Sequence, residues 1–290
     1  MRRLELLVQE VKDSSDTNDI NSYSIYELMR YFNDGQKLIQ KILYTANPAT
    51  AMFRTFKDVT PTTNGVVALP IDIYAKSAID SVGFIRSGGY FSKLSKVEYA
   101  EFSNFYGYAI VDDNILVPEK NTTDTIRVNY VYQLPLLSYR LGKVGSFDDV
   151  LKTISIDGAS IITDTSFDTR YEYYSVVDKK GVIKTSNLLL DDLVGLSMTF
   201  DSESDLSLIT VGDYIVCGAK GSSHGLLPDE CESFLMTYVQ RRIKDKVSSS
   251  TASTENVFTT EERQDLEDLF ADNSRDQKYP IATDLDFMGI

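Results

Sequence analysis

His224 is the only histidine in the chain, and the only two cysteines, Cys217 and Cys231, flank it. A thiol or hydroxyl nucleophile needs an imidazole within hydrogen-bond reach and a third group to orient the ring. Only His224 can serve as that base. It lies in GAKGSSHG (residues 218–225), whose composition reads as a loop, so it is expected at the surface without a catalytic role. One histidine and two cysteines are too few for a zinc site, and both thiols are expected to be buried. A disulfide across the glycine-rich loop stays open. The acid pairs Asp112-Asp113, Asp148-Asp149 and Asp191-Asp192 lack the D-x-D-x-D-G spacing of a calcium loop and read as turn residues. Paired carboxylates for glycoside cleavage are assembled by the fold and stay open from sequence. GAKGSSHG also lacks the order G-x-x-x-x-G-K-[ST] of a phosphate loop. YEYY, residues 171–174, reads as a strand with one aromatic face inward; an exposed contact surface for sugar or protein is the alternative. No catalytic, cofactor-binding or metal-ligating residue is assigned, and no cofactor is expected.

The formal net charge is −14 over 290 residues, which argues against a surface that grips phosphates with clustered Lys and Arg. No apolar run approaches the roughly 18 residues that span a bilayer. The opening MRRLELLVQEVKD is broken by Glu5, Gln9 and Glu10 and is not expected to be a targeting segment, so residence in a cytoplasm is the default. Residues 255–290 hold ten acidic and three basic side chains, so the C-terminal tail differs from the body.

The elements that must position these residues follow from periodicity. Ser24 and Glu27 form an S-x-x-E capping box. Ile25, Leu28, Met29, Phe32, Ile39, Ile42 and Leu43 then predict a helix over 24–45 with one buried stripe, ended by Asn47-Pro48. FRTFKDVTPTTNGVVALP predicts two strands around a turn at Pro61 to Gly65, and Leu69-Pro70 ends the second. Asp72 caps a short turn, and AIDSVGFIR is the next strand. Gly88-Gly89 and Asp113-Asn114 mark hairpins, Lys96 to Asn104 a short helix, and TIRVNYVYQLP a closing strand. Residues 50–135 thus read as an antiparallel sheet with a short helix, resting on the first helix. Residues 138–217 carry LKTISID, ASIITDT, RYEYYSVVD, GVIKTSN, GLSMTF and LITVGDYIVCG, with Asp178 to Gly181 as a hairpin turn and one helical turn in LLLDDLVG. That block predicts an inserted β-barrel or sandwich. Pro228, Asp229 and Glu230 open an amphipathic helix over about 228–246 that buries Phe234, Leu235 and Tyr238 against the first. VSSSTASTEN is a linker. Thr259 and Glu262 cap a short helix through Phe270, and QKYPIATDLDFMGI is extended. The fold class is α+β, divided as 1–137 (helix plus sheet of a core), 138–217 (inserted β domain), 218–247 (core helix) and 248–290 (linker, short helix and docking tail).

The order of Ser24 to Leu43, Ala68 to Val82 with its Leu69-Pro70 and Asp72, and Leu227-Pro228-Asp229-Glu230 with its helix to Ile243 resembles the head-to-tail connector, or adaptor, proteins of tailed phages, closest to the tail tubular protein A type of short-tailed phages. The resemblance covers about 60% of the chain, through short motifs. The block 138–217 departs from the smallest members, and its Tyr-, Asp- and Ser-rich texture suits a ring protein of a crAss-like phage. The resemblance implies a non-enzymatic virion protein at the head–tail interface, assembled in the host cytoplasm as a ring commonly of twelve copies. It implies the portal and downstream tail proteins as partners, and genomic DNA that passes through without specific binding. Such tails dock on the portal or on a neighbouring subunit. Here Phe258, Leu266, Leu269, Phe270, Tyr279, Ile281, Leu285, Phe287, Met288 and Ile290 are the anchors that reading assigns. Another tail or baseplate protein, or a carbohydrate-binding or carbohydrate-cleaving protein using the β block, is the alternative.

Overall fold

The computed structural model describes residues 2–14, 23–48, 52–62, 64–70, 72–86, 89–104, 107–118, 125–157, 172–247 and 257–271. The architecture is mixed α+β, mostly sheet, with four α-helices among the described residues. Backbone contacts divide those residues into two units: 2–48 with 135–271, and 52–134.

The first unit begins with α1 (Leu4–Ser14), where Leu4, Leu7, Val8 and Val11 form a buried stripe. The i, i+3, i+4, i+7 spacing was there to be read, although no helix was expected. α2 (Ile25–Ala46) matches the expected helix within a residue at each end. The Ser24 hydroxyl accepts the Glu27 N–H at 3.2 Å. The Glu27 carboxylate does not reach back to complete the box; it takes the Tyr31 hydroxyl and Lys246 instead.

The second unit holds two four-stranded sheets. β1 (Arg54–Val59), β3 (Ile79–Ile85), β4 (Phe91–Lys93) and β8 (Thr125–Val131) order as β1-β8-β3-β4, all antiparallel. β2 (Val66–Ala68), β5 (Ser95–Lys96), β6 (Gly107–Val111) and β7 (Asn114–Leu116) order as β2-β7-β6-β5, with β5 and β6 parallel. Val67, Val82, Phe84, Tyr108, Ile115, Ile126, Val128 and Tyr130 fill a common core. The strands flanking Pro61 to Gly65 are present, but β1 pairs with β8 and β2 with β7, so they belong to different sheets. Pro61 and Gly65 turn the chain from one layer to the other. The helix expected over Lys96 to Asn104 is a 3-10 turn, Tyr99–Asn104. β6 and β7 meet at a tight turn where Asp112 takes φ 52°, as Asp tolerates.

The chain then returns to the first unit. β9 (Leu136–Leu137) is held to α2 by Asn33, whose amide donates to the Leu137 carbonyl at 2.9 Å while its oxygen accepts the Leu137 N–H at 2.7 Å. β10 (Arg140–Asp148), β11 (Thr153–Asp157), β12 (Tyr173–Val177), β13 (Ile183–Val194), β14 (Ser197–Phe200) and β15 (Tyr214–Cys217) hydrogen-bond in the closed order β10-β11-β14-β13-β12-β15. At the β12–β13 turn the Asp178 carboxylate accepts the N–H groups of Lys180 and Val182, at 2.7 and 2.9 Å. β10 was not foreseen, and ASIITDT lies outside the described residues. LLLDDLV is strand up to Val194, with Gly195 in the turn that follows, and not a helical turn. Leu188 is buried in the core, and a bulge between Leu190 and Asp192 accommodates the two acids.

β16 (Gly221–Ser222) pairs parallel with β9. A 3-10 turn, Asp229–Cys231, leads into α3 (Glu232–Val247), so the expected helix starts four residues late. Pro228 precedes the turn at φ −52° and ψ 152°, outside the helix. α4 (Thr260–Ala271) opens on a complete capping box: the Thr259 N–H donates to Glu262 at 2.9 Å and the Glu262 N–H to the Thr259 hydroxyl at 3.2 Å. The division differs from the expected one. Residues 138–217 group with the helices, and the segment interrupting that unit in sequence is 49–134. The physical reason is shared packing: Tyr26 of α2 belongs to the same core cluster as Leu141, Ile154, Tyr174, Phe200 and Ile215 of the strands.

Candidate functional site

The helical layer of the first unit is built on a close antiparallel crossing. Gly35 at the middle of α2 faces Leu235 and Tyr238 of α3. Glu27 in the first turn of α2 meets Lys246 in the last turn of α3, and the Lys246 ammonium also lies 4.8 Å from the centre of the Tyr23 ring. Burial works against the Glu27 charge, but Lys246 and the Tyr31 hydroxyl outweigh it and hold the carboxyl below its usual range. Leu28, Phe32 and Ile39 are buried with Leu235 and Tyr238, as the periodicity predicts; Ile25 and Phe234 are half-buried.

α4 closes over this crossing. Arg241 of α3 makes a two-pronged ion pair with Glu262, both contacts 2.6 Å, and also donates to the Val257 carbonyl. The hydrogen bonds from Arg241 hold the Glu262 carboxyl below its usual range. The Phe258 ring packs 6.2 Å from Phe234 and 6.1 Å from Tyr238, centre to centre. Leu266 is fully buried and Leu269 half-buried. Leu266 is fully covered within the chain and is not offered to a neighbour, whereas Phe258 packs on α3 and stays half-buried. A twelve-residue helix with so narrow an apolar face is stable only when that face is covered, and α2 and α3 lie within reach to cover it. The side chain of Phe270, and Tyr279, Ile281, Leu285, Phe287, Met288 and Ile290, lie outside the described residues.

His224 is half-buried in a polar cluster between the N-terminal segment and the strands. Its Nδ1 lies 3.1 Å from the Ser223 hydroxyl, and Arg3 bridges to it through the backbone. Arg140 stacks its guanidinium 4.0 Å over the Tyr214 ring, donates to the Lys179 carbonyl at 2.7 Å and gives its backbone N–H to Glu5. Sequence reasoning missed Glu5 and Arg140, because residues 135 positions apart leave no local pattern. Burial, then the charges of Arg140 and Arg3, push the His224 pKa down from 6.5. A base with a lowered folded value binds its proton more readily when unfolded. Its contribution is full above pH 6.5 and is lost as pH falls through the lowered value. Urea midpoints are expected to drop as pH falls below 6.5 in the native chain, and this drop is expected to flatten in His224→Gln. The carboxylates held low, such as Asp178 and Glu262, begin to titrate only further down.

Both cysteines are free and buried. Burial pushes the Cys231 thiol up to about 12 and the Cys217 thiol well above its usual range, so both stay protonated. Asp112-Asp113 and Asp148-Asp149 act at turns, as expected, whereas Asp191-Asp192 lie inside β13 and not in a turn. Asp148 accepts the N–H groups of Val150 and Leu151, Asp149 pairs with Lys152 at 2.8 Å, and Asp192 accepts the Leu193 N–H. Among the described residues no group of three or more His, Cys, Asp or Glu side chains could hold a metal ion, and no helix is long and apolar enough to cross a membrane. In YEYY, Glu172 and Tyr173 are exposed, Tyr173 by 41%, and Tyr174 is buried; from Tyr174 to Val177 every residue is buried, so the strict alternation expected of this strand is absent, while one aromatic ring does face inward. No family model matches the chain, and neither does any curated protein.

Proposed function

We propose that this chain is a structural virion protein that forms a head-to-tail connector ring beneath the portal, extends the DNA channel and gives the tail a platform. The observation that carries this reading is the antiparallel α2–α3 pair, closed at one end by Glu27 and Lys246. The two-sheet segment 49–134 lies between the two helices in sequence, and a tail follows the clamped α4. This is the element order on which the resemblance to phage connectors rests. The net charge of −14 per copy suits a channel wall that repels DNA and lets it slide. The sequence beyond α4 carries Tyr279, Ile281, Leu285, Phe287, Met288 and Ile290, apolar anchors for the portal or the neighbouring copy.

The test is the mass of the full chain mixed with its cognate portal protein, with and without residues 272–290. That cut spares Leu266 and the Arg241–Glu262 clamp, which a cut at Ser249 would remove. Ring formation on the portal that the truncation abolishes supports the reading. A full-length chain indifferent to the portal overturns it.

A further inference from the structure

The sheet β1-β8-β3-β4 ends on β1 and β4, and the hydrogen-bond phase shows which groups face out. The Tyr132 N–H donates to the Phe53 carbonyl, which makes Phe53, Thr55, Lys57 and Val59 the residues bonded to β8. Phe56 and Asp58 therefore point their backbone groups away from it. On β4 the Arg86 N–H donates to Tyr90 and the Leu94 N–H to Val82, so Phe91 and Lys93 point theirs away from β3. All four side chains stand on one face, because Asp58, Arg127, Gly83 and Lys93 are successive partners across the sheet. That face is open: Phe56 is 42% and Phe91 38% exposed.

We propose that β4 of one copy adds to β1 of the next, with Lys93 opposite Asp58 and Phe91 opposite Thr60, so that the sheet runs on head-to-tail from subunit to subunit. Three features fix this choice. Four strands that alternate in direction present opposite polarities at their two ends, so a copy in the same orientation continues the antiparallel order. Lys93 opposite Asp58 keeps the cross-sheet row straight, and each residue meets its partner with an outward N–H and C=O. The row then alternates favourably: Asp58 holds Arg127 through two contacts of 2.7 Å and keeps acceptor sites for the lysine of the next copy. Such a contact is heterologous, and it closes into a ring when the rotation allows. The inference rests on the ring reading for its closure.

The test uses the full chain alone at raised concentration, with carbodiimide as a zero-length crosslinker and peptide mass spectrometry. Within one copy Lys93 and Asp58 lie three strand spacings apart, roughly 14 Å, too far to couple. A Lys93–Asp58 crosslink found only in the oligomer is expected. Lys93→Pro removes an outward donor and no bond to β3, so it is expected to keep the thermal midpoint and weaken association about tenfold, the loss of one ladder bond. Lys93→Glu is expected to weaken it as well, by opposing Asp58. Rings that form without the crosslink and tolerate both variants overturn the strand pairing and leave the connector reading standing. A chain that stays monomeric alone and rings on its portal without the Lys93–Asp58 crosslink overturns the strand pairing only. A monomer under both conditions overturns both.

Discussion

Gly221→Ala is expected to leave almost no soluble protein. An added Cβ at Gly221 would stand 1.9 Å from the Cys217 carbonyl oxygen and 2.9 Å from its carbonyl carbon. Both are backbone atoms and cannot swing aside. The clash falls where several connections meet. Gly221 pairs with Leu136 of β9, and its N–H donates to the Ser175 hydroxyl at 3.1 Å. Ser175 in turn donates to the Gly218 carbonyl at 2.8 Å, and the Cys217 N–H donates to the buried Ser138 hydroxyl. Moving Cys217 to admit a methyl group pulls on β15, the strand that links β10 to β12. Breaking buried hydrogen bonds while straining backbone belongs to the class of changes above about 4 kcal/mol, against a total stability of about 5–15 kcal/mol. Gly195→Ala is the control. Gly195 also has a left-handed backbone, φ 61°, but nothing lies within 4 Å of an added Cβ. It is expected to cost only about 1–2 kcal/mol for the conformation itself. Soluble yield and urea midpoint of the two variants check the contrast, and equal values would mean that the close approach at Gly221 does not exist.

Elements that announce themselves locally were legible in the sequence. Ser24 and Thr259 each sit three residues before a glutamate, and both caps are present. The stripe from Leu28 to Leu43 is buried along α2, and Asp178 with Gly181 makes the β12–β13 turn. Strand identity was readable where β-branched and aromatic residues cluster, as in β8 and β12. Partnership was not. Nothing local in RTFKDV says that its partners are 67 to 77 residues away rather than across the Pro61 turn, because period-2 alternation fixes a face and not a neighbour. The same limit hid the polar cluster of Glu5, Arg140 and His224, which three distant segments assemble. It also hid the use of Phe258 and Leu266. Their apolar spacing shows that they need cover, and only the fold shows that the cover comes from α2 and α3.

Gly35→Leu is expected to force α2 and α3 apart and to release α4. Glycine in a helix interior is unfavourable by roughly 0.5–1 kcal/mol relative to alanine, so its place in the middle of α2 needs a compensating contact. That contact is proximity: a Cβ at position 35 would stand 2.7 Å from Tyr238 Cδ1 and 2.8 Å from Leu235 Cδ1. Neither side chain has anywhere to go. Both are buried, and the Tyr238 ring already packs against Phe258. Gly35→Ala sets a helix-propensity gain of about 1 kcal/mol against an overpacking cost of about 1–3 kcal/mol, and is expected to come out destabilised. Leucine adds three more carbons at the same point and cannot be accommodated without separating the helices. Separation withdraws Tyr238 from Phe258 and pulls Arg241 away from Glu262, so α4 loses its apolar cover and its ion pair together. The thermal midpoint of the leucine variant is expected to fall well below that of the alanine variant. Limited trypsin digestion is expected to cut at Arg263 before the rest of the chain. The same loosening of α4 without any fall in the midpoint would place the weak point in α4 itself. A stable, trypsin-resistant Gly35→Leu chain would show that the helices do not meet where Gly35 faces Tyr238.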